Sequence, residues 1–339
     1  MRDRLRIGIV GAGPVMERYH IPAINAVPEV VRSIVVDADA ERSKNAALRF
    51  QIPRWSNRLD ELAEGADLAL VLVPNGHHAE VSCELLRRGV HVLCEKPLAR
   101  NPAECLSMIE SARRSRALLC TGHNRRFRQH IQLARKLLLD GLIGEIVRVE
   151  AEEGSTADWP RSRAYFDPEQ SGGGALMDVG IHSIDLIRWL AGEFETVEYK
   201  GNGTASCAES EAEMRFSLSN GATGKLVASR DRELRQTLTI IGTQGTLEIG
   251  LWAPTLGMVS KRGKAFQNFK RLDIAVPRRP PQDTSFVEQL RNFVSAIHGE
   301  GDLVVTGEDG MAAVDAVYRA YRGTPATSLR PAEIPAERS

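Results

Sequence analysis

Leu5-Arg6-Ile7-Gly8-Ile9-Val10-Gly11-Ala12-Gly13-Pro14 is the stretch on which the fold turns. Its first six residues have the apolar pattern of a buried strand. Gly11-Ala12-Gly13 follows without a spacer, and Val15 to Ala26 then reads as a helix. Strand, glycine turn and helix are the context that a dinucleotide-binding fingerprint requires. Gly11 permits a tight turn, Gly13 lets a pyrophosphate approach the backbone, and Pro14 with Val15 opens the helix. Met16 stands where a third small residue is usual, so the helix must pack on the strand in another way.

Working outward, Ile34-Val35-Val36-Asp37 is a second strand ending in an acid at the separation expected of a ribose-binding carboxylate. Asp37 there accepts ribose hydroxyls and repels a 2′-phosphate, which favours NAD. Arg42 nearby leaves NADP as the alternative. Asp39 suits the cap of the helix that starts near Ala40. Ala66 to Val73 is a third strand, ending in Pro74-Asn75-Gly76-His77-His78. Asn75 and His78 are placed where the nicotinamide-side ribose would lie, and His77 reads as a solvated loop residue. Val90-His91-Val92-Leu93-Cys94 is another strand, running into Glu95-Lys96-Pro97. Proline stops the strand and presents Lys96 at its carboxyl end, where open α/β sheets bind ligands. Asn101 to Ser115 is a helix, and Leu118 to Gly122 a further strand. The alternation from residue 5 to 122 predicts a doubly wound parallel sheet.

After residue 123 the pattern changes. His123-Asn124-Arg125-Arg126 leads into a helix from about His130 to Asp140, with Arg126 a candidate for substrate contact. Residues 157 to 170 form a long irregular segment with aromatics that include Trp159. Gly172-Gly173-Gly174 then opens a helix in which Asp178 and His182 lie four residues apart, on one face, with Asp185 close to it. An aspartate one turn from a histidine makes a candidate oriented base. From Phe194 to Ile249 the period drops to two, with Ser219-Asn220-Gly221 and Gly242-Thr243-Gln244-Gly245 as turns, which predicts a mainly antiparallel sheet. Thr284 to His298 and Glu308 to Tyr321 read as closing amphipathic helices.

The chain has 339 residues, 42% of them hydrophobic, enough for two domains with their own cores. Lys plus Arg equals Asp plus Glu at 44 each, which speaks against nucleic-acid or membrane partners. No apolar run has the length of a membrane span, and Met1-Arg2-Asp3-Arg4 is not a signal peptide. Five cysteines without C-x-x-C spacing indicate neither a disulfide framework nor a metal site, and fit a reducing cytoplasm.

Taken together, Gly-Ile-Val-Gly-Ala-Gly at 8–13 with His20, Pro74-Asn75-x-x-His78, Cys94-Glu95-Lys96-Pro97, Gly-Gly-Gly-Ala-Leu-x-Asp-x-Gly-x-His at 172–182 and Gly242-Thr243-Gln244-Gly245-Thr246 resemble the glucose–fructose oxidoreductase and inositol dehydrogenase family (Gfo/Idh/MocA). The resemblance covers nearly the whole chain. It implies a Rossmann domain over 1–123, a substrate-binding α/β domain with a large, mainly antiparallel open sheet over 124–329, and a tail over 330–339. It implies oligomers, a homodimer or homotetramer, built through that sheet. It places Lys96, Asp178 and His182 together beside the nicotinamide as the catalytic set. The cofactor set becomes Gly11, Gly13, Pro14, Val15, Asp37, Pro74, Asn75, His78, Glu95 and Lys96. Arg126, Trp159 and Asp185 are the weaker substrate candidates. The implied activity is NAD-dependent hydride transfer to or from a hydroxyl-bearing carbon of a sugar, cyclitol or sugar derivative. In the oxidising direction His182 takes the hydroxyl proton, Lys96 bonds the reacting oxygen, and Asp178 orients His182 or binds a neighbouring hydroxyl. A non-catalytic NAD(P)-binding sensor and an NAD-dependent glycosidase of the same fold are the alternatives.

Overall fold

The computed structural model describes residues 4–156, 166–204, 207–260, 271–273 and 284–323. Among them, β1 (Leu5–Val10), β2 (Val30–Val36), β3 (Arg54–Ser56), β4 (Leu68–Val71), β5 (His91–Cys94) and β6 (Leu119–Thr121) form a parallel sheet in the order β3-β2-β1-β4-β5-β6. Helices cover both faces, which is why β4 (Leu-Ala-Leu-Val) is buried throughout. The order reverses between β1 and β4, so a crevice opens beyond their carboxyl ends. The short strand β3, absent from the sequence reading, extends the edge beside β2.

The helix expected from Val15 to Ala26 is broken in kind. Met16–His20 is a π-helical turn, and α-helix resumes only at Ile21–Asn25. Met16 is buried in that turn against the sheet's core. The wider turn is how a bulky residue is carried at the third fingerprint position.

The second sheet has eight strands: β7 (Ile146–Gly154), β8 (Phe194–Gly201), β9 (Glu211–Leu218), β10 (Thr223–Ser229), β11 (Thr237–Gly242), β12 (Gly245–Gly250), β13 (Leu256–Ser260) and β14 (Arg271–Asp273). Its order is β14-β13-β12-β11-β7-β10-β9-β8, antiparallel except between β7 and β10. One face packs Val149, Ala151, Met214, Phe216, Leu226, Leu238 and Ile240 into the core. The other face is the one left for an oligomer built through this sheet. It carries instead the cross-strand row Glu198, Arg215, Lys225, Glu150, Thr239 and Glu248. Neighbouring charges pair on it, Arg215 with Glu213 at 2.8 Å and Arg148 with Glu150 at 2.8 Å. Among the described residues this face is thus mainly polar and charged, with Val227 and Ile241 as apolar residues on it.

The helix Ser285–Ile297 returns from this half to the first. Leu290, Phe293 and Val294 join Ile7, Ile9 and Met16 in one buried cluster. The expected division at 123/124 is thus crossed by the core itself.

Candidate active site

The glycine turn after β1 fits a dinucleotide. Gly11 has φ +98°, and a Cβ there would lie 2.7 Å from the carbonyl oxygen of Leu72, so only glycine closes this turn. A Cβ at Gly13 would meet nothing within 4 Å, which leaves open space in front of its backbone. The exposed Pro14 and the partly exposed Val15 form the lip of the following helix. At the end of β2 the Asp37 carboxylate is fixed before any ligand arrives. Oδ2 accepts the N–H of Ala12 at 2.9 Å, and Oδ1 accepts the N–H of Asp39 at 3.0 Å. Arg42 stands 3.8 Å from Asp37 and Asp39 caps the helix Ala40–Phe50. A buried, pre-aligned carboxylate at this place suits the ribose diol of NAD.

The loops after β4 and β5 are locked to each other. His78 is buried, with Nδ1 2.7 Å from the carbonyl oxygen of Pro97 and Nε2 2.8 Å from that of Val73. Burial lowers its pKa despite the two carbonyls. Pro74 leads into a 3-10 turn, and Asn75 donates to the carbonyl of Ser171 at 3.1 Å, joining the cofactor side to the glycine-rich segment. His78 and Asn75 are thus architectural before they are ligands, while His77 is exposed as expected.

Glu95 and Lys96 follow β5 across a cis Lys96–Pro97 bond. Glu95 accepts from Lys96 N–H at 3.1 Å and meets His20 Nε2 at 2.9 Å. Burial pushes its carboxyl up, but His20 and Lys96 outweigh this and hold it below the usual carboxylate range. This contact ties the π-turn of the cofactor side to the lysine. Lys96 Nζ donates to both the carbonyl oxygen and Oδ1 of Asp178, each at 2.9 Å. An ammonium has three N–H groups, so one is left over.

Asp178 lies on a second π-turn, Leu176–Gly180, which runs directly into the helix Ile181–Ala191 that bears His182. π-Turns inside helices recur at functional sites because the extra residue re-aims the side chains. Gly174, where the segment starts, has no room for a side chain: a Cβ would sit 2.1 Å from the carbonyl oxygen of Glu209. Glu209 accepts from Leu176 N–H at 3.1 Å and from the Tyr321 hydroxyl at 2.6 Å, so the turn is held from outside. Asp178 also faces Arg230, a buried residue just after β10, at 3.6 Å; Arg230 donates in turn to the carbonyl of Gly174 at 2.9 Å. Neither Arg230 nor Glu209 was foreseen. For Arg230 the available signal was a charge continuing the inward alternation of Leu226 and Ala228; Glu209 is out of step with the inward Ala212, Met214 and Phe216 and gave no such signal.

The expected Asp178–His182 pairing takes another form. The carboxylate turns to Lys96 and Arg230, and His182 Nδ1 is buried without a hydrogen-bond partner among the described residues. The ring keeps part of its surface open, on the Nε2 side. Burial, followed by the charges of Arg125 and Lys96, holds the His182 pKa well below the ordinary histidine value. The imidazole is therefore neutral at pH 7 and able to accept a proton.

Two substrate candidates are corrected. Arg126 bonds Asp185 through Nε at 3.0 Å and Nη2 at 2.6 Å, Asp309 at 3.0 Å and the carbonyl of Val304 at 3.0 Å. Both Arg126 and Asp185 are buried and their groups are spent inside the fold. Trp159 lies outside the described residues.

No helix among the described residues is long and apolar enough to cross a membrane. Residues 5–123 match the model of an oxidoreductase family with an NAD-binding Rossmann fold (GFO_IDH_MocA), and residues 131–248 match the C-terminal domain model of the same family. A trans-1,2-dihydrobenzene-1,2-diol dehydrogenase of Xenopus tropicalis is 30% identical over 271 residues, spanning 76% of this chain and 80% of the relative. Levoglucosan dehydrogenase of Pseudarthrobacter phenanthrenivorans is 27% identical over 291 residues, 72% of this chain and 73% of the relative. A solved structure of levoglucosan dehydrogenase with NADH and levoglucosan superposes with a TM-score of 0.83 at 23% identity, covering 95% of this chain and 98% of that one, a likeness of fold. The chain therefore belongs to the GFO/IDH/MocA family of NAD-dependent oxidoreductases.

Proposed function

We propose that the protein oxidises a secondary hydroxyl of a small polyhydroxylated ring, a sugar, cyclitol or sugar derivative, with Lys96, Asp178 and His182 as the catalytic set. The observation that carries this is a lysine anchored by Asp178 with one N–H to spare, beside a neutral histidine whose Nε2 is the accessible nitrogen. The two relatives quoted above are both named as dehydrogenases of hydroxylated rings. NAD⁺, seated along Gly11, Gly13, Pro14, Val15, Asp37, Pro74, Asn75, His78, Glu95 and Lys96, supplies a hydride acceptor. The chain's residues do the rest. His182 Nε2 accepts the hydroxyl proton. The spare N–H of Lys96 donates to the same oxygen and stabilises its growing negative charge. Asp178 keeps the ammonium in place and Arg230 steadies Asp178.

The test is NADH production by purified protein across cyclitols, aldoses, sugar acids and amino sugars. Accumulating NADH with at least one class is expected, as is its loss by roughly 10²-fold or more in His182→Asn at unchanged NAD⁺ affinity. A sensor would give no turnover, and a glycosidase would release product without net NADH. His182→Asn turning over at the wild-type rate would remove the assigned base.

The same reading places the protein in a reducing cytoplasm, in keeping with its free cysteines, of which Cys83, Cys94, Cys105 and Cys120 are buried. It also makes the charged sheet face the surface of self-association into a dimer or tetramer, through its interspersed Glu and Arg/Lys side chains. Light scattering should then show an oligomer at low salt that weakens as salt screens these charges. A monomer at micromolar protein in low salt would refute it.

A further inference from the structure

Behind His182 lies a layer of polar groups that the mechanism above does not use. His123, just after β6, is 1% exposed, and neither of its ring nitrogens has a hydrogen-bond partner among the described residues. His182 Nδ1 is in the same condition. Buried nitrogens without partners are rare and call for an explanation such as an ordered water. The two rings face each other edge to face, 79° apart in plane, with centroids 6.4 Å apart. An imidazole nitrogen lies about 1.1 Å from its ring centre, so these nitrogens approach no closer than about 4 Å, too far for a direct hydrogen bond, and a link between them has to pass through an intervening group such as a water.

We propose that His123 is a positioning residue for His182: it takes a hydrogen bond from a buried water that in turn accepts the Nδ1–H of His182. This rests on His182 being the base, and it names what fixes its tautomer. With the proton held on Nδ1, the lone pair is on Nε2, the nitrogen facing the open side. Burial keeps His123 neutral, so it retains a lone pair to receive the water's hydrogen.

The surroundings agree. On its own helix and π-turn, His182 has Asp178, engaged by Lys96 and Arg230, and Ser183, which donates to Glu153 of β7 at 2.7 Å. Lys96 comes from the end of β5. Arg125 and Arg128 come from the segment after β6, and Arg125 is bonded to Glu153 and lies over Trp252. Near His123 lie Arg126, Arg188, Asp185 and Asp309. Each carboxylate among these is paired with a cation on its own side, so none takes the Nδ1–H.

The experiment compares His123→Phe with His123→Gln, both first checked for thermal unfolding and for NADH binding by fluorescence. Phenylalanine keeps the ring volume without the acceptor; glutamine restores an acceptor. Without one, the imidazolium loses more than the neutral Nδ1–H form, because a charged N–H makes the stronger hydrogen bond, so the pKa of His182 falls. His123→Phe should lower kcat by about tenfold or more with KM and NADH affinity within threefold, and move the acid limb of the rate profile to lower pH. His123→Gln should recover most of both. Phe within twofold of wild type, or Gln no better than Phe, overturns the proposal. Nitrogen-15 histidine NMR of the wild-type protein decides it without turnover, and also if neither variant folds: the His182 signal, identified by its loss in His182→Asn, should show the Nδ1–H tautomer. The Nε2–H tautomer would overturn it. If no polyol is oxidised, the function reading fails, and the tautomer measurement alone judges His123.

Discussion

Two ion pairs lie seven residues apart along one helical segment and do opposite work. Asp178 pairs with Lys96, with side chains 25% and 20% exposed. Asp185 pairs with Arg126, at 1% and 2%. In the buried pair every oxygen and nearly every N–H is matched, so nothing remains for a ligand. A charge pair removed from water gains its worth only from such completeness, and losing one member strands the other. In the half-open pair the match is deliberately incomplete, since Lys96 has an N–H unspent. Similar residues therefore mark structure or chemistry according to whether their donors are exhausted.

That contrast can be broken by experiment. Asp185→Ala leaves the buried Arg126 with Asp309 and the Val304 carbonyl, without its bidentate carboxylate, and should cost about 3–5 kcal/mol of stability, read by denaturant unfolding. A loss under 1 kcal/mol would place Arg126 among open residues. Lys96→Ala should do the reverse, lowering turnover roughly 10²–10⁴-fold while changing stability by about 1 kcal/mol or less. Next comes pH. His78, His91, His123 and His182 all have lowered pKa values through burial. Below their ordinary value of about 6.5 the unfolded chain binds protons that the folded chain refuses, so stability should fall as pH drops from 7 toward 5. The sign is that of a depressed folded pKa: stability is full above the unfolded value and lost beneath it. The oxidation rate should meanwhile hold level to below pH 6.5, and an acid limb centred above that would contradict a neutral, buried His182. The smallest effect concerns Asp37. Asp37→Ser should narrow the preference for NAD⁺ over NADP⁺ by about tenfold, roughly 1.4 kcal/mol, with Arg42 left to greet the added phosphate. Equal dissociation constants before and after would remove Asp37 from the cofactor site.

The parallel sheet was legible because strands buried on both faces are apolar runs, as in Leu68–Val71. Strand β3 was not, since Arg54 and Trp55 are exposed and only Ser56 points inward. Periodicity found the helix Ser285–Ile297 but not its berth, because docking on the core of β1 joins residues nearly three hundred apart in sequence. The family resemblance brought Lys96 to Asp178 and His182; residue spacing alone put only the last two on one helix. It misjudged Arg126 and Asp185, whose 59-residue separation conceals a bidentate pair. It also paired Asp178 with His182 by the arithmetic of an α-helix, and the π-turn upsets that arithmetic.

Each of the two π-turns is a helix with a residue to spare. Met16–His20 reaches Glu95 through His20, and Leu176–Gly180 reaches the adjoining Lys96 through Asp178. Such a surplus can be edited. Removing one residue from Leu176–Gly180 would let the helix close into ordinary α geometry. The helix Ile181–Ala191, gripped along its buried face, would stay where it is. The residues of the turn itself would shift by about 100° in register relative to His182. The protein would keep its shape and core and lose the alignment of Asp178 with Lys96. Catalytic register here hangs on an insertion one residue long, a kind of change that composition, hydropathy and overall fold would all pass over.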